Sequence, residues 1–200
     1  MRMRYKMGSY NDASKGADCM NSITPKVYVA CLGCYNEGRL HGKWMDTDEL
    51  EEEWAILGDI KRCFTSGFYP LTSCKKPHHD EWAIHDFDGV PNLGEHPDIP
   101  YLIKVMQAVE EHGEAFLEWF NFDPYNKSHH DDLGEAFQDA YAGEWESKEK
   151  FAEEFAESMG YIDSDSFNPL WRYIDFDWYW RAELRHTHHY SNGHVFRSDV

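Results

Sequence analysis

KVYVACL, Lys26–Leu32, alternates into a run of β-branched and aromatic side chains, Val27, Tyr28 and Val29. A pleated strand sends successive side chains to opposite faces, so this pattern predicts a strand. YNEG (Tyr35–Gly38) follows with turn chemistry. RLHGKW (Arg39–Trp44) then predicts the returning strand of a hairpin with a longer loop. Asp46 and Glu49 make a D-x-x-E helix start. Beyond it Leu50, Trp54, Leu57 and Ile60 are spaced for one buried face of a helix reaching about Phe64. In EWAIHDF (Glu81–Phe87), Trp82, Ile84 and Asp86 alternate with Ala83, His85 and Phe87, which predicts a third strand. Three strands and one helix make a small α+β unit.

Working outward, Phe64–Asp80 reads as loop, and Asp88–Pro100 is punctuated by Gly and Pro. The period then switches from 2 to 3.6. Leu102, Ile103, Met106, Val109, Phe116 and Phe120 predict a long helix from about Pro100 to Phe120, with Gly113 as its weak spot. After a break at NFDPYNKSHHDD, residues 132–142 read as a short helical or irregular piece. A capped helix follows: Ser147 is a good N-cap, Gly160 a good C′ residue, and Phe151, Ala152, Phe155, Ala156 and Met159 share a face. Asp175 is placed to cap a short helix to about Leu184. HTHHY and HVFR, separated by Ser191–Gly193, predict a final hairpin.

The fold class is therefore α+β, an elongated chain of three small domains. Residues 1–22 read as a flexible, mildly basic extension without the apolar stretch of a signal peptide. Residues 23–98 form the three-stranded sheet plus helix, 99–137 a mainly helical middle, and 138–200 a mixed α/β domain. No run of apolar residues is long enough to span a membrane. Five cysteines do not form a secreted disulfide framework, so the expected location is cytoplasmic.

Of 200 residues, 42% are hydrophobic and 16% aromatic, sufficient for a packed core; formal net charge is −18. That balance argues against nucleic acid or an anionic membrane as the direct partner, and favours a basic protein. The charge is not evenly spread. Residues 1–77 carry a net of +1 and residues 166–200 a net of 0, while residues 78–165 hold 23 acidic and four basic side chains. One solvated acidic helix face is ordinary. A contiguous acidic segment of this length is costlier, because like charges at i, i+4 each cost about 0.2–0.5 kcal/mol. Neutral polar residues would keep the chain soluble without that cost.

Other chemistry is sparse. Cys31 and Cys34 form a C-x-x-C, but no second pair stands at zinc-ligand spacing. With Cys31 in a strand and Cys34 opening a turn, the pair does not sit at a helix start as a thioredoxin-type motif would. Buried strand cysteine is the simpler reading. Twelve histidines include His78–His79, His129–His130 and His186, His188 and His189. In a strand His186 and His188 would share a face, but no H-E-x-x-H or matching acidic ligand accompanies them. G-x-S-x-G, P-loop and G-x-G-x-x-G motifs are absent. Neither a catalytic residue nor a metal or other cofactor is assigned. FDWYW (Phe176–Trp180), without a basic patch, reads as core or subunit contact and not as a base-stacking platform.

These blocks carry a resemblance. PKVYVACLGCYNEGRLHGKWMD, EWAIHDFDGVPNLGEHPDI, EEHGEAFLEWF, AFQDAYAGEWESKEKFAEEFAESMG and YIDFDWYWRAELRH with a late GHVFR, in this order, resemble the ArdA antirestriction proteins from about Thr24 to Arg197. Residues 1–22 and the Ser66–His79 loop depart from that pattern. The resemblance implies a cytoplasmic, non-enzymatic homodimer carried by plasmids or conjugative transposons. It implies an elongated, curved shape that imitates bent B-DNA and occupies the DNA-binding groove of type I restriction–modification enzymes. The implied phosphate-mimicking carboxylates are Asp86, Asp88, Glu95, Asp98, Glu110, Glu111, Glu114 and Glu118. With them go Asp131, Asp132, Glu135, Asp139, Glu144, Glu146, Glu149, Glu153, Glu154 and Glu157. The neutral C-terminal segment, with Trp171, Tyr173 and Phe176, is the expected dimer contact. Competing readings are an acidic protein-interaction module without DNA mimicry, and a His/Cys metal-dependent hydrolase.

Overall fold

The computed structural model describes residues 23–51, 81–122, 130–162 and 172–198. Strand β1 (Lys26–Cys31) is the centre of an antiparallel sheet, flanked by β2 (Gly42–Asp46) and β3 (Trp82–Asp88). Val27 and Val29 on β1 are fully buried, as the alternation requires.

Two details depart from the sequence reading. Between β1 and β2 the chain forms a one-turn helix, α1 (Leu32–Asn36), where only a turn was expected. Its end is tied by Glu37 and Arg39 N–H groups donating to the Cys34 carbonyl, at 3.1 and 2.9 Å. With the Arg39 N–H held by that closure, β2 starts at Gly42 instead of Arg39. Strand β3 also loses its simple alternation. Tyr28 pairs with Asp86 but Val29 pairs with Ile84, leaving His85 as an extra residue. Such a bulge re-phases the strand. Phe87 therefore joins Trp82 and Ile84 at the hydrophobic core, while Asp86 points to solvent.

The D-x-x-E start is present: Asp46 Oδ1 accepts from the Glu49 N–H at 3.0 Å, and the chain turns helical at Thr47. The rest of the helix expected to Phe64, and the following loop to Asp80, lie outside the described residues.

Helix α2 (Ile99–Phe122) is capped by Asp98, which accepts from Tyr101 N–H at 2.9 Å. It is two helical halves joined at Gly113, whose φ of 62° and ψ of −141° lie outside helical space. Leu102, Val105, Met106 and Val109 bury the first half; Phe116, Trp119 and Phe120 bury the second. Helix α3 (Leu133–Ala140) packs Leu133, Phe137 and Ala140 into the same cluster, which also holds Val27, Met45, Ile84 and Phe196.

The second sheet has order β4-β6-β5: β4 (Tyr141–Glu144), β6 (His194–Arg197) and β5 (His188–Ser191). The expected final hairpin is β5–β6. Its turn carries Asn192 and Gly193 at φ 46° and 85°, the positive-φ pair that a tight two-residue hairpin needs. Helix α4 (Lys148–Ser158) begins where the capping rule placed it, with Ser147 Oγ accepting from Lys150 N–H at 3.2 Å. It ends with Gly160 N–H on the Glu157 carbonyl and Tyr161 N–H on the Ala156 carbonyl, both 2.9 Å, a Schellman closure. Asp175 caps α5 (Phe176–Ala182) through Trp178 N–H at 2.8 Å. A second hydrophobic cluster gathers Phe151, Ala152, Trp180, Leu184 and Val195. His186 falls in a 3-10 turn (Leu184–His186), so it does not share a strand face with His188. The chain must reverse after α5 before it can pair as β5.

Candidate functional site

The eighteen nominated carboxylates all lie among the described residues, and none is buried. Fourteen are exposed; Glu118, Glu149, Glu153 and Glu154 are half-buried. They ride on β3 and its following loop, on the solvent side of α2, around α3, at the end of β4, and along α4. The reason is local. On α2 and α4 the apolar residues at i, i+3, i+4 face the clusters, so Glu110, Glu111, Glu114, Glu153 and Glu157 fall on the opposite stripe.

Several of these groups also serve the fold. Asp98 caps α2, and Asp132 Oδ1 caps α3 through Glu135 N–H at 2.9 Å. Glu110 accepts from the Thr47 hydroxyl at 2.6 Å. Glu114 and Glu118 accept from Asn192 and Ser191 at the tip of the final hairpin, both at 2.5 Å. Asp86 accepts from the adjoining Phe87 N–H at 2.9 Å. On α4, Lys150 lies 2.9 Å from Glu153 and 3.9 Å from Glu154, while Lys148 is 4.0 Å from Glu149 and 3.2 Å from Asp177. The hydrogen bond to Glu153 holds the exposed Lys150 ammonium above its ordinary pKa; desolvation opposes this, and the charges of Glu153, Glu154 and Glu157 each add a smaller upward push.

Among the described residues, Asp88, Glu95, Glu135, Asp139, Glu144 and Glu146 have no cation within ion-pair distance. The negative field of Glu144 is felt next door: burial first, and Glu144 second, raise the Tyr141 phenol above 10.0.

For the expected contact residues, Trp171 lies outside the described residues. Tyr173 is 83% exposed, and Ile174 and Trp178 beside it are also open. Phe176 is half-buried against the second cluster.

Elsewhere the chemistry is thin. A shallow cavity of about 360 Å³ is lined by Leu32, Glu81, Trp82 and His96. It holds one carboxylate and one imidazole, without a nucleophile among those lining groups. No helix of the described residues is long and apolar enough to cross a membrane. One grouping escaped the sequence reading. His41 comes back beside Cys31 and Cys34, with all three donor atoms within 4.8 Å of one another. The pair of cysteines also sits at a helix start after all, because Cys31 is the residue before α1. The spacing C-x2-C-x6-H was the available signal, and the extra turn of α1 is what makes it close.

Fold and surface together define a small α+β protein that carries many exposed carboxylates on both its sheets and its helices. The family model described as antirestriction protein (ArdA) matches residues 27–196, and the chain belongs to that family. Among curated proteins no match to the chain is found. Family membership makes antirestriction the function, and restriction enzymes in general the class of partner.

Proposed function

We propose that this protein acts as a mimic of B-DNA, occupying the DNA-binding groove of type I restriction–modification enzymes and so protecting incoming plasmid or transposon DNA. The observation that carries the reading is the net charge of −19 confined to residues 78–165, together with the eighteen described carboxylates named above, none of which is buried. Magnitudes support it. A helix rises 1.5 Å per residue, so Glu149, Glu153 and Glu157 repeat about every 6 Å. Duplex DNA carries one charge per about 1.7 Å of axis, so nineteen charges match roughly 32 Å of duplex. That is on the order of one helical turn per chain, and a two-fold dimer doubles it. At a spacing of about 6 Å, neighbouring carboxylates lie inside the Debye length of about 8 Å at physiological salt, so their repulsion persists in the free protein. Seating on a basic groove relieves it.

The same reading makes the protein a cytoplasmic inhibitor and not an enzyme. It also makes it a homodimer meeting through the neutral C-terminal segment, where like charges do not oppose contact. The three-domain division at about 98/99 and 137/138 belongs to this proposal as well.

The test is a titration into parallel cleavage and methylation assays of a type I enzyme at several salt concentrations. Inhibition should compete with DNA and weaken as salt rises, because screening reduces the attraction. Salt-independent inhibition, or inhibition without competition by DNA, would point to an acidic interaction module without mimicry.

A further inference from the structure

Cys31 ends β1, Cys34 lies in the single turn of α1, and His41 immediately precedes β2. The backbone brings them together. Cys31 N–H donates to the His41 carbonyl at 2.8 Å, and α1 closes on the Cys34 carbonyl, returning the chain under its own start. The three side chains are nearly sealed from solvent, at 1%, 2% and 8% exposure. Neither cysteine is in a disulfide.

We propose that Cys31, Cys34 and His41 form a structural site for a thiophilic divalent cation of the zinc class. Zinc bonds of about 2.3 Å to sulfur and about 2.0–2.1 Å to nitrogen give tetrahedral edges of roughly 3.6 Å for S···N and roughly 3.8 Å for S···S. The Cys34 Sγ···His41 Nδ1 separation is 3.5 Å, already one such edge. The full spread of 4.8 Å closes to those edges by about an ångström, within reach of a χ1 adjustment. The donors select the ion: two sulfurs and an imidazole suit zinc, cadmium or copper(I), and offer magnesium or calcium no oxygen. Binding converts two thiols to thiolates, releases two protons to solvent, and leaves the imidazole neutral and bound through Nδ1. These three donors fill three of the four positions of a tetrahedral ion. The ion would pin β1 to β2 across α1 and so fix the connection carrying the exposed Tyr35 and Leu40. This site is independent of the carboxylate surface: charge-neutralised variants should retain it.

The test uses the full chain without a histidine tag, so that only its own ligands are present. Metal analysis should find about one zinc per chain, and cobalt substitution should give a thiolate-to-metal charge-transfer band with the intense visible absorption of a tetrahedral site. Chelation should lower the thermal midpoint by several degrees, since a ligand bound only by the folded state stabilises it. Cys31→Ser/Cys34→Ser should abolish both zinc and the band, and His41→Gln should weaken affinity about tenfold or more. Cys63→Ser/Cys74→Ser and His186→Gln/His188→Gln should leave both intact. Should the Cys31/Cys34 variant fail to fold, the cobalt spectrum of the parent and of the Cys63/Cys74 variant still decides. The proposal fails if the parent protein takes up less than about a tenth of an equivalent of metal under reducing conditions. A Cys31–Cys34 disulfide in place of metal, or a band lost with Cys63/Cys74 but kept without Cys31/Cys34, would equally overturn it.

Discussion

Gly113 is the residue on which the course of α2 turns. Its φ of 62° and ψ of −141° are open to glycine and strained for any residue with a Cβ. A Cβ placed there meets nothing within 4 Å, so the strain is in the backbone and not in packing. Gly113→Ala should therefore lower stability by about 1–3 kcal/mol, or straighten the helix and pull Phe116 and Phe120 out of register with Phe137. Urea unfolding followed by circular dichroism would measure the first outcome. Wild-type stability with an unchanged near-ultraviolet spectrum would show that the break is not imposed by Gly113. The residue looked like a weak spot in the sequence because glycine lowers helix propensity. That its dihedrals leave helical space depends on where the two halves pack.

Secondary-structure elements carry the charge, and they carry it unequally. On α4 the carboxylates are partly balanced by Lys148 and Lys150. Around α3, among the described residues, Glu135 and Asp139 lack such a cation, and Lys104 Nζ reaches only the backbone carbonyl of Asp131, at 3.2 Å. Changing Asp131, Asp132 and Asp139 to Asn with Glu135 to Gln should therefore weaken inhibition more than changing Glu149, Glu153, Glu154 and Glu157 to Gln. Asn at 132 keeps the cap on α3, so stability should stay within about 0.5 kcal/mol of the parent. The α4 set loses its Lys150 pairs along with its repulsions, each about 0.2–0.5 kcal/mol, so it too should be near neutral in stability. Inhibition of a type I enzyme and thermal unfolding would be measured on the same variants. Full inhibition by both sets would mean that the acidic face is ordinary solvated surface. A single neutralisation such as Glu153→Gln removes one charge of many and should change little.

For the whole molecule, the proposed dimer needs an uncharged place to meet. Tyr173, Ile174 and Trp178 are exposed at 83%, 39% and 61%, in a segment with no net charge. Exposed aromatic side chains of this kind supply the main contacts of interfaces. Tyr173→Ala/Trp178→Ala should raise the dimer dissociation constant about tenfold or more, corresponding to about 1.4 kcal/mol. Sedimentation velocity across a concentration series reads this directly. An unchanged dimer would place the contact elsewhere, and a parent protein monomeric at micromolar concentration would remove the doubled duplex length from the mimicry proposal. Phe176, nominated beside them, is half-buried against the second cluster, so its loss would confound folding with association.

Hairpin patterning, caps and charge distribution were legible in the residues because each acts over a few positions. Alternation marked β1, a hydroxyl and a glycine bounded α4, Asp175 marked the start of α5, and Ser191–Gly193 marked the last turn. The exposure of the carboxylates followed from the same helical period that buried their apolar neighbours. What needed the folded chain was every feature fixed by a partner distant in sequence. The bulge at His85 arises from pairing with β1, and it reverses which of Asp86 and Phe87 meets the core. Glu114 and Glu118 meet Asn192 and Ser191 only because α2 lies beside the final hairpin. His41 joins Cys31 and Cys34 because α1 shortens the path between two paired strands. Local sequence sets torsional preference and period; long-range packing sets register, and register decides which side chains share a site.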